Sequence, residues 1–168
     1  LILRGKKPDK LEGNQILYQL FGAKIHWCNT HDPYSNIITK EVSLLFNKFK
    51  TKNKFPYVVR LPKQTAIIAA KSGLGLLHEI KKQFNSDIDY IVLAAGSGLT
   101  AAGLLAGICI YNYSTNILVF SVQQKHKFIN KLILKRAQEV LNTFDTKNKI
   151  NLNKLIFDDN FIGPGYGF

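Results

Sequence analysis

Hydrophobic positions along the chain switch repeatedly between two periods. Short apolar runs of strand length fall at residues 1–3, 23–28, 56–61, 90–95, 117–122 and 155–157. Between them lie longer segments with apolar residues at helical spacing. Residues 13–21 carry Ile16, Leu17, Leu20 and Phe21 on one stripe, closed by Gly22 as a C-cap. Residues 37–49 (Ile38, Val42, Leu45, Phe46, Phe49) and 128–144 (Ile129, Leu132, Ile133, Ala137, Val140, Leu141) read as amphipathic helices. A long helix is predicted over 65–84, weakened in propensity by Gly73 and Gly75, and another over 100–111. Strands alternating with helices predict an α/β fold, a parallel sheet with helices on both faces.

The rest is arranged around residues 89–107. The run 91–95 is wholly apolar, the pattern of a strand buried on both faces, and it stops at Gly96-Ser97-Gly98. From Thr100 small and apolar residues recur at helical spacing, and Gly103 and Gly107 leave a smooth face. Strand, glycine turn and helix N-terminus in that order make an anion site, because the first helical N–H groups have no intrahelical acceptor and the helix dipole adds partial positive charge. Glycine lets the backbone approach a phosphate, and the Ser97 and Thr100 hydroxyls can donate as well. A tight strand–helix turn that binds nothing is the plainer alternative; the two hydroxyls and the small-residue helix favour phosphate. Gly96-x-Gly98-x-x-Ala101 also fits a dinucleotide fingerprint, which requires an acidic residue at the end of the next strand. That position holds Gln123-Gln124-Lys125, so a nucleotide is disfavoured.

Composition changes this picture little. In 168 residues, 46% of them apolar, there is room for one packed domain, or one and part of another. The net charge of +12 raises the question of nucleic acid. The lysines are scattered through Asn- and Ile-rich connections, however, and the arginines are Arg4, Arg60 and Arg136 alone, so no nucleic-acid partner is expected. Cys28 and Cys109 lie far apart in apolar contexts, which fits reduced thiols and no metal site. No apolar stretch is long enough to span a bilayer and no signal-peptide pattern is read at the start, so no membrane partner and a cytoplasmic location are expected. The chain starts inside an apolar run and stops in a Gly-Pro-Gly loop, and both ends read as cut from something larger.

The pieces LILRGKKP, GNQILYQLFGAKIHW, VLAAGSGLTAAGLLAG, FINKLILKRAQEVL and DDNFIGPGYG, in that order, resemble the 1-aminocyclopropane-1-carboxylate (ACC) deaminase and D-cysteine desulfhydrase family. The resemblance implies a tryptophan-synthase-β-like fold (fold type II of the pyridoxal-phosphate enzymes), present as an internal fragment. Residues 1–54 would be part of the smaller domain and 55–168 part of the larger, cofactor-binding one. It implies pyridoxal 5′-phosphate as cofactor, a small amino-acid substrate, release of ammonia and a keto acid, and a homo-oligomer in the intact family. Gly96, Ser97, Gly98, Leu99 and Thr100 match the cofactor-phosphate loop, and Tyr166 matches the active-site tyrosine of G-P-G-Y-G.

The departures bear on activity. Leu99 replaces a glycine of the usual G-S-G-G-T loop and is tolerated if its φ is negative and only its N–H is used. Pro62-Lys63-Gln64-Thr65 stands where the family has G-G-S/T near the cofactor. By the resemblance, the lysine that holds the cofactor lies upstream of the LILRG strand, and the residue facing the pyridine nitrogen lies downstream of GPGYG. The isolated chain is therefore expected to be inactive; the alternative reading is a non-catalytic remnant or a phosphate- or nucleotide-binding module. Other candidates are plainer. His31, His78 and His126 have no partner at catalytic spacing, Lys63, Lys71 and Lys125 merely fall near strand ends, and Asp158-Asp159 reads as a turn cap.

Overall fold

The computed structural model describes residues 1–31, 35–59, 63–84, 86–122 and 126–163. The chain forms two compact units, Leu1–Val59 and Arg60–Phe168.

In the first unit, β1 (Ile2–Arg4) pairs in parallel with β2 (His26–Cys28), Leu3 opposite Trp27. Between them runs α1 (Asn14–Leu20). Gly22 ends it as the sequence predicts. With φ at +70° it lets its own N–H reach Gln19 O, and the Ala23 N–H reach Tyr18 O, each at 2.9 Å. These two bonds satisfy the carbonyls that the helix end leaves open. Helix α2 (Asn36–Lys50) starts at Ser35, whose hydroxyl accepts from the Ile37 N–H at 3.2 Å. Cys28 is buried, and burial first, then the nearby Glu41 carboxylate, push its thiol pKa up.

The predicted strand over 56–61 is not formed at 56–59, and Arg60, Leu61 and Pro62 lie outside the described residues. Phe55, Tyr57 and Val59 are almost fully exposed. Strand propensity in such a segment is a preference for a half-buried pleated surface, and no such surface is in place here.

The second unit holds α3 (Lys63–Gln83), β3 (Tyr90–Ala95), α4 (Leu99–Tyr111), β4 (Asn116–Ser121), α5 (His126–Leu141) and β5 (Leu155–Asp158). All pairings are parallel in the order β3-β4-β5, with Ala95 opposite Ser121 and Phe120 opposite Asp158. Helix α4 is apolar all round because it is surrounded: α3, α5 and the strands β3 and β4 all pack against it, and Ala101 through Ile108 are buried. The core continues through Leu77, Ile117, Val119, Ile129, Ile133 and Val140.

Two expectations are corrected here. Strand β3 is not buried on both faces: Ile91, Leu93 and Ala95 turn to the helices, while Tyr90 and Val92 on the other side are more than half exposed. Gly73 does not merely weaken α3. A Cβ there would lie 2.5 Å from Thr100 O, and one on Gly103 only 1.8 Å from Ala70 O, so α3 and α4 touch through their backbones. The missing side chains are what permit this approach.

Candidate phosphate loop

The glycine turn sits at the carboxyl end of β3, where ligands gather in open α/β sheets. Gly98 is the N-cap of α4 with φ at +73°, and the first helical bond runs from the Ala102 N–H to Gly98 O at 2.9 Å. The N–H groups of Leu99, Thr100 and Ala101 precede that bond and have no acceptor within the helix. Residues Leu93 to Ala101 line a small cavity of about 60 Å³ at this point. Ser97 and Thr100 are exposed beside it. Leu99 begins the helix, has no positive φ, and packs its side chain on the core, so the departure from glycine costs the backbone nothing.

The two glycines of the turn do different work. Gly98 is demanded by the fold: its φ is left-handed, and a Cβ would lie 2.5 Å from Ile133 Cγ1. Gly96 is not. Its φ is not positive, and a Cβ would meet only Val122 Cγ2, at 3.9 Å. The space that a side chain on Gly96 would enter is open, which is what close approach of an anion to the backbone requires. Sequence reading treats the two alike; only the φ angles and the position of α5 separate them. We expect Gly98→Ala to lower the stability of the second unit by about 1–3 kcal/mol, measured by chemical denaturation, whether or not any anion is present.

The remaining candidates separate as follows. Tyr166 lies outside the described residues, as do Gln123, Gln124 and Lys125. His31 and His78 are exposed, on a loop and on α3, and the His126 side chain is not described. Asp158 Oδ1 accepts from the Asn160 N–H at 2.8 Å, the turn cap predicted for it. The Lys71 ammonium lies 5.2 Å from the centre of the Phe144 ring. Among the described residues no group of His, Cys, Asp and Glu could hold a metal ion, and no helix is long and apolar enough to cross a membrane.

A parallel α/β sheet with a glycine loop at the carboxyl end of its first strand defines the class of this unit. No family model matches the chain. Among curated proteins, one from Pyrococcus horikoshii named "Putative 1-aminocyclopropane-1-carboxylate deaminase" is 28% identical over 164 residues, 96% of this chain and 47% of its own length. One of the same name from Thermotoga maritima is 29% identical over 167 residues, 96% of this chain and 51% of its own. A crystal structure described as that of an ACC deaminase homologue superposes with a TM-score of 0.69 at 28% identity, over 93% of this chain and 46% of that one. The chain thus spans about half the length of the relatives it matches. It resembles the ACC deaminase family along nearly its whole length, and its α/β fold of parallel strands and helices is the one that homologue has, in fold type II.

Proposed function

We propose that this chain carries the phosphate-holding part of a pyridoxal-phosphate enzyme that deaminates a small amino acid. Its α4 N-terminus and glycine loop hold the cofactor's phosphate ester. The observation that carries this reading is Gly96. The fold makes no demand for glycine there, and the space that a side chain would enter at the turn stands open. One phosphate ester needs such a loop and no ribose-binding carboxylate, which accords with the absence of an acidic residue at 123–125. The donor set fits the group: backbone N–H groups at a helix N-terminus, with the exposed hydroxyls of Ser97 and Thr100 beside them.

When bound, the cofactor supplies an electron-accepting ring for chemistry at an amino-acid α-carbon. The chain's own residues anchor and orient it. The amides fix the phosphate, Leu99 pins the loop to the core, and Tyr166, by the resemblance, supplies a phenol to bind substrate or move a proton. The names of the relatives favour ring-opening deamination of ACC, giving ammonia and a keto acid; D-cysteine desulfhydration, which also releases sulfide, is the finer alternative. By the same resemblance the cofactor-bearing lysine precedes the first matched strand. These 168 residues alone should therefore release no ammonia, keto acid or sulfide from either substrate. A cytoplasmic, homo-oligomeric whole enzyme belongs to this reading.

The test is calorimetric titration of the chain with pyridoxal phosphate and with pyridoxal. The phosphate ester should bind at least about tenfold more tightly, and inorganic phosphate should compete with it. Equal affinity for the two, or no binding of either, would overturn the proposal.

A further inference from the structure

The end of β4 lies against the glycine turn. Ser121 pairs with Ala95, and one residue further on the Val122 N–H donates to Ala95 O at 3.2 Å, which prolongs the parallel ladder to the turn itself. Val122 is half-buried, and its Cγ2 lies 3.9 Å from the position that a Cβ on Gly96 would take. A methyl group therefore walls the open space at Gly96 on the β4 side. Sequence position points past it, to 123–125, which lie outside the described residues.

What stands at this place bears on the choice of ligand. Dinucleotide folds share the order of strand, glycine turn, helix and next strand, and at the end of that next strand they carry a carboxylate that accepts from the ribose. A nucleotide draws affinity from that acceptor. A phosphate ester without a sugar gains nothing from it, and a carboxylate beside its phosphate sets like charges together. Valine supplies neither the acceptor nor the charge. We infer that Val122 is a specificity-determining residue for the loop: its neutral methyl wall accepts the phosphate of a sugar-free ester and withholds from nucleotides the contact that their ribose requires. The inference rests on the phosphate reading of the loop and assigns the selection of ligand to a residue outside it, on the neighbouring strand.

The test is calorimetric titration of the full 168-residue chain and its Val122 variants with pyridoxal phosphate, pyridoxal and ADP. The parent should prefer pyridoxal phosphate to ADP. In Val122→Asp that preference should fall at least about tenfold, through weaker binding of pyridoxal phosphate, while binding of pyridoxal stays as it was. Val122→Thr, of the same shape and uncharged, should keep the parent's affinity for pyridoxal phosphate within about threefold. Circular dichroism reports whether each variant folds. If Val122→Asp does not, Val122→Asn carries the test: its amide offers the ribose an acceptor without charge and should lower the same preference at least about threefold. An unchanged preference in the folded variant, or a parent that binds ADP as tightly as pyridoxal phosphate, would overturn the inference and leave the phosphate loop standing. A parent that binds pyridoxal phosphate no better than pyridoxal would overturn both.

Discussion

Gly103→Val should all but unfold the second unit. A Cβ at that position would lie 1.8 Å from Ala70 O and 2.9 Å from both the Ala70 carbonyl carbon and Gly73 Cα. These are backbone atoms, so no rotamer change relieves the overlap; α3 and α4 must separate by more than an ångström. Separation strips dispersion contacts from a core in which Ala70, Leu77, Leu104 and Ile108 are fully buried. Overpacking of well-filled cores costs about 1–3 kcal/mol where side chains can yield. A clash with backbone should exceed that range and lower Tm by more than about 10 °C. Gly75→Ala, on the same helix α3 but where a Cβ would meet nothing within 4 Å, serves as the contrast and should leave Tm unchanged or raise it, since glycine is the poorer helix former. Calorimetry of the three proteins reads the difference. Equal melting of Gly103→Val and the parent would mean that α3 does not touch α4 through its backbone.

Gly96→Val should have the opposite profile, with binding lost and the fold kept. The first atom of the new side chain would meet nothing closer than Val122 Cγ2 at 3.9 Å, and the backbone needs no positive φ. Tm should therefore move by no more than a few degrees. We expect the valine methyls to crowd an anion's close approach to the turn. Affinity for pyridoxal phosphate should fall at least about a hundredfold, since hydrogen bonds from several amides to a charged group are lost together. The pairing of Gly96→Val with Gly98→Ala separates ligand from fold. If both destabilise and neither alters binding specifically, the turn is a turn and nothing more.

Much of this is legible in the amino-acid sequence. The helical stripes of α2 and α5 and the alternation of strand and helix place five helices and most strands within a few positions. Gly22 marks the end of α1 because only one conformation of that residue lets two carbonyls be satisfied at once. The glycine turn between a strand and a small-residue helix identifies the candidate phosphate loop from sequence alone. What could not be read was burial beyond the strand itself. An apolar run such as 91–95 looks the same whether one face or two are covered, because coverage depends on elements elsewhere in the chain. Residues 56–59 show the converse, a segment with strand propensity that forms no strand. The meeting of Gly73 with Gly103 was half visible. The four-residue spacing of Gly103 and Gly107 announces a smooth face, but which helix lies on it is a tertiary fact.

The central claim is that the amides at the start of α4 hold a phosphate. Backbone amide NMR of the full chain during titration with pyridoxal phosphate addresses it directly. The account predicts that the largest shifts fall on the N–H groups of Ser97, Gly98, Leu99, Thr100 and Ala101, that inorganic phosphate moves the same signals in the same direction, and that Gly96→Val abolishes the response. Shifts confined to lysine-rich segments such as 48–54, or unchanged by that substitution, would contradict it.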